Sequence, residues 1–151
     1  MKKQTYWNAT MNHLSEKMAV IENALKDTQD AANSDTKSSA GDKHETSRAM
    51  AHIENERLAS QLKVLQNQVE TLQKINPTIV GETIKFGSLV GCEDLLFFMS
   101  IGLGKIQHDS TDFFAIAANS PVGKSLIGKK VGETILIGNK KTTITYNIFI
   151  F

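Results

Sequence analysis

Apolar residues in the first half of the chain recur at alternating steps of four and three, the pattern of a helix that packs against another helix. The first seam consists of Trp7, Met11, Leu14, Met18, Ile21 and Leu25. A second seam with the same alternation consists of Leu58, Leu62, Leu65, Val69 and Leu72. Extended toward the start of the chain, the second seam continues to Asn55 and Ala51, where a polar and a small residue replace the large apolar ones. Two long amphipathic helices are therefore predicted.

The segment between the seams, DTQDAANSDTKSSAGD, is rich in turn-forming residues and has no apolar stripe. The simplest assembly is an antiparallel helical hairpin with its bend near positions 31 to 42. A helix from near Asp42 to Ile75 would span about 50 Å, so the hairpin would protrude with a polar tip. Two helices of an ordinary bundle, completed by a dimer partner, are the alternative.

The second half of the chain has a different residue pattern. Asn76-Pro77 ends the helical pattern, because proline disfavours the helical region for the residue before it. The segments that follow are rich in β-branched and aromatic residues and are separated by turn residues: ETIKFGSLV, DLLFFMSI, DFFAIA, ETILIG and KTTITYNIFIF. Gly138-Asn139 marks a hairpin between the last two. About five antiparallel strands are predicted.

One segment of this half favours a short helix. In VGKSLIGKKVG, Ser120 would cap the helix, Pro121 would occupy its first turn and Gly128 would lie near its end. The predicted fold is thus α+β. An N-terminal antiparallel coiled-coil hairpin over residues 1–76 is followed by a small antiparallel β-sheet domain over residues 77–151, with one short helix across the sheet.

Charge and composition exclude several classes of function. The net charge of the 151 residues is +1, with ten basic and ten acidic residues before Pro77 and seven and six after it. Strong binding to free DNA or RNA is therefore not expected. The start of the chain has no apolar run of signal-peptide length, and no stretch is apolar enough to span a membrane. We expect a cytoplasmic, monomeric protein whose single cysteine, Cys92, is a buried and inert thiol.

Motifs that would make the chain an enzyme are incomplete. PVGKS contains the Gly-Lys-Ser of a phosphate loop, but Ala118 stands where that motif needs a glycine. His44 and His52 could share a helix face, yet no third metal ligand lies at a suitable spacing. No ordered Ser, His and Asp set rises above chance, so hydrolase activity of its own is not predicted.

Two carboxylates lie where the second helical pattern begins. Asp42 followed three residues later by Glu45 is the spacing of a capping box, in which each side chain bonds a backbone amide of the first turn. The same spacing sets two carboxylates on one side of the helix start, where they could share a hard divalent cation. Alone they would hold Mg²⁺ weakly, so catalysis would need further ligands from another site.

A family resemblance is carried by both halves. NSPVGKSLIGKKVGE, with Ser120-Pro121, residues 126–129 and Gly132, resembles the C-terminal domain of the Gre family of bacterial transcript cleavage factors. IKFGSLV looks like that domain's first strand, and the hairpin corresponds to the family's N-terminal coiled coil. The acidic tip of the family reads Gly-Asp-x-x-Glu, and Gly41, Asp42 and Glu45 stand at those places. The resemblance implies that the second domain shares the fold of FK506-binding proteins.

The resemblance also implies a mechanism. The hairpin would enter the secondary channel of a stalled RNA polymerase, where Asp42 and Glu45 help to retain Mg²⁺ beside the nascent RNA 3′ end. The polymerase would then cut its own backtracked RNA, so the chain is expected to be no enzyme and to have no cofactor apart from the shared Mg²⁺. Ser120 and Pro121 would dock on the polymerase rim, a role that is compatible with a helix cap, whereas the cap alone would also explain both residues. Lys37, Lys43 and Arg48 would guide RNA phosphates, or simply be solvated.

The chain departs from the family pattern at the tip. Lys43 and His44 lie between the two carboxylates, and residues 46–50, TSRAM, replace an acidic and aromatic run. Two alternatives to cleavage therefore stay open: a regulator that occupies the same channel without cleavage, and a coiled-coil adaptor whose β domain binds an unrelated partner. Isomerase activity is not expected, because the only tryptophan, Trp7, lies outside the β domain.

Overall fold

The computed structural model describes residues 3–35, 41–75, 81–109 and 111–148, without the side chains of residues 31–35 and 41–44. Two helices of 33 residues each open the chain, α1 (Lys3–Asp35) and α2 (Gly41–Gln73). The indole Nε1–H of Trp7 donates a hydrogen bond of 3.1 Å to the carbonyl oxygen of Leu72. The start of α1 thus lies beside the end of α2, so the pair is antiparallel, as predicted.

The two apolar seams are the buried faces of these helices. Leu14 on α1 and Leu58, Leu65 and Leu72 on α2 are buried, and the other seam residues are half-buried. Most of the residues between them are exposed. The alternation of four and three therefore identified the packed face of each helix correctly.

The bend of the hairpin is shorter than the sequence indicated. Helix α1 continues through residues 27–35 and α2 begins at Gly41, so most of the polar segment is helical. The expectation of a bend over positions 31 to 42 is thus wrong at both ends. Alanine at two consecutive positions, 31 and 32, favours continuation of the helix, and polar residues can form an exposed helix without an apolar stripe. The connecting residues 36–40 lie outside the described part.

The second half contains a mixed sheet of six strands in the order β3-β4-β2-β1-β6-β5. The strands and the short helix are β1 (Leu89–Cys92), β2 (Leu95–Met99), β3 (Gly104–Ile106), β4 (Phe113–Ile116), α3 (Pro121–Leu126), β5 (Thr134–Ile137) and β6 (Lys140–Ile148). The predicted hairpin joins β5 to β6 through Gly138-Asn139. Gly138 has φ +62 and Asn139 has no positive φ, which is the pattern of a type II′ turn. The α+β fold class is confirmed.

Three details of the predicted sheet are wrong. β2 and β4 are parallel, with Phe98 opposite Ala115, so the sheet is not purely antiparallel. The three-residue strand β3 was not predicted, because a strand that short leaves almost no periodic signal. The first strand begins only at Leu89. The backbone of Ile84 instead bonds Gly128 and Lys129, just after α3, and Phe86-Gly87 form a turn with Gly87 at φ +93.

Both faces of the central strands are buried. On one face a core packs Leu126 of α3 against residues of four strands: Val90, Cys92, Phe97, Met99, Ile135 and Ile144, together with Ile84. On the other face lies Phe113, whose ring meets that of Tyr6 edge-on with centroids 5.1 Å apart. α3 therefore covers one face of the sheet, and the start of α1 contributes to covering the other.

By internal contacts the chain forms two compact units. One unit joins Met1–His13 to Glu70–Phe151, and the other is Leu14–Val69. The start of α1 and the end of α2 thus belong to the same unit as the sheet. The remaining lengths of the two helices form the other unit. No helix in the described ranges has the length and apolar character needed to cross a membrane.

Candidate functional site

The acidic pair falls in the first turns of α2. With Gly41 as the first helical residue, Asp42 and Glu45 are the second and fifth residues of the helix, three apart and on neighbouring positions of its surface. Carboxylates at this end interact favourably with the positive end of the helix dipole. The side chain of Glu45 is exposed to solvent. Glu45 is thus available to an external ligand.

The remaining residues predicted for this end are described only in part. Arg48, three residues beyond Glu45 on the same helix, is exposed. Asp42 and Lys43 belong to the helix, but their side chains lie outside the described part, and Lys37 lies outside it altogether. The assignments of Asp42 and Glu45 to metal, and of Lys37, Lys43 and Arg48 to RNA, stay predictions.

The position of Asp42 bears on the capping-box alternative. In a capping box the first residue flanks the helix, and the glutamate three positions later reaches back to it. The helix here already includes Gly41, so Asp42 lies inside it by one residue. The side chain of Asp42 lies outside the described part, so the capping box and the shared cation both stay predictions.

The chemistry of the pair suits a hard cation that it shares with another molecule. Two carboxylates supply the oxygen ligands that Mg²⁺ prefers, and Mg²⁺ usually keeps several ligands from water or substrate. Among the described residues, no three or more His, Cys, Asp or Glu side chains lie together so that they could hold a metal ion. The side chain of Asp42 lies outside the described part, so a Mg²⁺ site shared between Asp42, Glu45 and a partner stays a prediction.

The Ser120-Pro121 turn is built as a rigid cap. Ser120 is the N-cap of α3, and its Oγ accepts a hydrogen bond from the Gly123 amide at 3.0 Å. The same hydroxyl donates to the carbonyl oxygen of Ala117 at 2.7 Å. Pro121 occupies the first turn and its ring is exposed. The helix cap predicted for Ser120 is confirmed, and it leaves Pro121 on the surface, where a partner could contact it.

Gly123 is required by this turn. A Cβ on Gly123 would lie 2.1 Å from the carbonyl oxygen of Ala117 and 2.9 Å from that of Ala118. Those oxygens belong to the backbone and cannot move aside easily. The glycine in the Ser-Pro-x-Gly sequence therefore lets the preceding strand end pass close against α3.

A cleft beside α3 was not predicted from the sequence. It has a volume of about 460 Å³ and is lined by Lys124, Ser125, Lys129, Thr134, Ile135, Leu136 and Lys141. We call it the lysine cleft. Its three lysines come from α3, the loop after it and β6, so they are neighbours only in the fold. The sequence offered one signal, the basic pairs at 129–130 and 140–141 that flank strand β5.

These features define a chain with two antiparallel helices followed by a small mixed sheet, with an acidic pair opening the second helix. Comparison with known proteins gives a match to a transcription elongation factor, GreA of Maridesulfovibrio salexigens, at 29% identity over 94 residues. The match covers 60% of this chain and 59% of the relative, so the chain spans about three fifths of the length of that protein. The resemblance to the Gre family is thereby confirmed.

Other comparisons add little. No family model matches the chain. The solved structure of the transcription factor Gfh1 aligns with 90% of this chain and 91% of its own length, at 20% identity. Its TM-score is 0.35, and a likeness at that level adds no argument about fold or function.

Proposed function

We propose that this chain is a Gre-like transcription elongation factor that binds bacterial RNA polymerase and stimulates cleavage of backtracked nascent RNA. The observation that carries the proposal is the Gly41-Asp42-x-x-Glu45 sequence at the start of α2, in a chain similar to GreA. The start of α2 would enter the secondary channel of the polymerase. The chain itself would cut no bond, so the factor would act without being the enzyme.

The two carboxylates would act as metal-retaining groups. Asp42 and Glu45 would supply oxygen ligands to Mg²⁺ at the polymerase active centre, and the polymerase would supply the others. A bound Mg²⁺ there lowers the pKa of water and stabilises charge on the phosphate that is cut. Exposure of Glu45 supports this role, because a carboxylate engaged inside the fold could not reach a partner.

The other predicted residues have supporting roles. Lys37, Lys43 and Arg48 would attract RNA phosphates toward the start of α2; the exposure of Arg48 is consistent with this. Ser120 and Pro121 would dock on the rim of the polymerase. The cap at Ser120 supports docking, because a turn that is rigid before binding loses little conformational entropy on association.

A second function is favoured by the residues around the pair. Lys43 and His44 separate the carboxylates, and residues 46–50, TSRAM, follow them in place of acidic and aromatic residues. A factor with this tip could occupy the secondary channel and alter elongation without stimulating cleavage. Such a regulator would use the same polymerase and the same hairpin.

One experiment distinguishes these functions. Purified protein is added to elongation complexes stalled on end-labelled RNA, and the release of short 3′ fragments is followed over time. Cleavage stimulation predicts rapid release of fragments, whereas a channel-occupying regulator predicts slower elongation and no additional fragments. If the protein neither binds core polymerase nor changes its elongation, the proposed function is wrong.

A further inference from the structure

We infer that the lysine cleft binds an acidic, partly apolar segment of a protein partner. The first observation is which lysines in the second half of the chain form ion pairs. Among the described residues, Lys105 pairs with Asp112, Lys130 with Glu82 and Lys140 with Glu93, and Lys85 has an interaction of its own. The remaining three, Lys124, Lys129 and Lys141, line the cleft, and none of them forms an ion pair with a carboxylate of the described residues.

This distribution gives the cleft a single sign of charge. No Asp or Glu is among its lining residues, whereas three lysines are. Like charges held together in a concavity raise the local potential and attract a negatively charged ligand. Lys129 is half-buried, which reduces solvent screening of at least one of the three.

The rest of the lining points to a protein rather than a nucleic acid. Ile135 and Leu136 both line the cleft; Ile135 is buried, and Leu136 is 56% exposed. A phosphate backbone has no group to cover an exposed leucine, and three lysines would neutralise only about three phosphates. A peptide segment with acidic side chains around one apolar side chain would match both the charge and Leu136.

The position of the cleft leaves room for such a segment. β5, which carries Thr134, Ile135 and Leu136, is the last strand in the sheet order and pairs only with β6. Edge strands are common docking places for partner chains, because one side of their backbone is free of strand pairing. The acidic charge of the partner follows from the cleft alone, whereas its identity as RNA polymerase rests on the proposed function.

A titration that does not involve the polymerase tests the chemistry. The full chain, labelled with ¹⁵N, is titrated with a short peptide of alternating Glu and Leu residues and, separately, with a single-stranded RNA of equal charge. We expect the peptide to shift the amide signals of Lys124, Lys129 and Leu136, and to bind at least tenfold more tightly than the RNA. Tighter binding of the RNA at the cleft, or no shift with either probe, would overturn the inference.

A binding assay with core RNA polymerase tests the partner. The cleft variant Lys124→Gln, Lys129→Gln, Lys141→Gln is compared with the control variant Lys105→Gln, Lys130→Gln, Lys140→Gln, which removes the same charge from the same half of the chain. We expect the cleft variant to bind at least tenfold more weakly than the control, with the same unfolding midpoint. Equal binding of the two variants would show that the cleft is not part of the polymerase interface. If the unmodified chain does not bind polymerase, the proposed function fails and the peptide titration alone decides the cleft.

Discussion

The amide of Gly123 donates a hydrogen bond of 3.0 Å to the hydroxyl of Ser120, three residues earlier in the chain. The bond closes the first turn of α3 and sets Gly123 directly against the carbonyl oxygens of Ala117 and Ala118. Serine, proline and glycine in this order thus have a structural reason to occur together, apart from any contact with a partner.

Replacement of Gly123 by alanine is expected to destabilise the chain by about 2 kcal/mol or more, since the added Cβ would overlap two backbone oxygens. Urea unfolding followed by circular dichroism measures the change. The matched control is Gly102→Ala, whose Cβ would meet its nearest neighbour, the Cβ of Ala117, at 3.9 Å. The control is expected to stay within about 0.5 kcal/mol of the unmodified chain. An equal loss of unfolding free energy in both variants would show that the close approach of the backbone oxygens to Gly123 does not cause the destabilisation.

Gly91 and Tyr146 are paired across β1 and β6, and the tyrosine ring covers the glycine. A Cβ on Gly91 would lie 2.2 Å from Cε1 of that ring. Gly91→Ala is therefore expected to cost about 1 to 3 kcal/mol in the unmodified chain. In a Tyr146→Ala background the same change is expected to cost less than about 0.5 kcal/mol, because the ring is gone. Additive losses in the double-mutant cycle would contradict this packing.

Burial raises the pKa of the Cys92 thiol from its usual value of 9.0 to about 11, with a smaller contribution from the negative charge of Glu93. The unfolded chain then loses the thiol proton at a lower pH than the folded chain does. Burial of the neutral thiol therefore stabilises the folded chain fully below about pH 9, and this stabilisation is lost as the pH rises from about 9 to about 11.

We therefore expect the stability advantage of the unmodified chain over Cys92→Ala to shrink by about 1 kcal/mol between about pH 8 and pH 10. Urea unfolding of both proteins at the two pH values measures it, and groups common to both cancel in the difference. The folded chain should also resist alkylation by iodoacetamide near neutral pH, as expected for a buried thiol. An advantage that does not change with pH would contradict the raised pKa.

Local patterns predicted the helices and the cap correctly because the causes of these features are local. The seams that end at Leu25 and Leu72 follow helix periodicity, and the cap at Ser120 follows from residue types within one turn. The parallel pairing of β2 with β4 depends instead on which strands meet in the folded chain, and no pattern within a strand encodes its partner. The lysine cleft was not predicted for the same reason, because residues 124, 129 and 141 come together only in the fold.

The acidic pair is a different case. The Gly-Asp-x-x-Glu order was visible in the sequence, and the structure adds that Gly41 already belongs to α2 and that Glu45 is exposed. The role of the pair depends on a partner molecule, so it could be inferred only by resemblance.

Transcript cleavage by stalled RNA polymerase, with Asp42→Asn and Glu45→Gln combined, tests the central claim most directly. The control combines Asp27→Asn with Asp30→Asn, which removes an exposed acidic pair of the same spacing from α1. We expect the Asp42 and Glu45 variant to lose about 10- to 100-fold of the cleavage rate, because Mg²⁺ would lose two ligands. The control should stimulate cleavage by the polymerase at the same rate as the unmodified chain does. Equal stimulation of cleavage by all three proteins would contradict the assignment of Asp42 and Glu45.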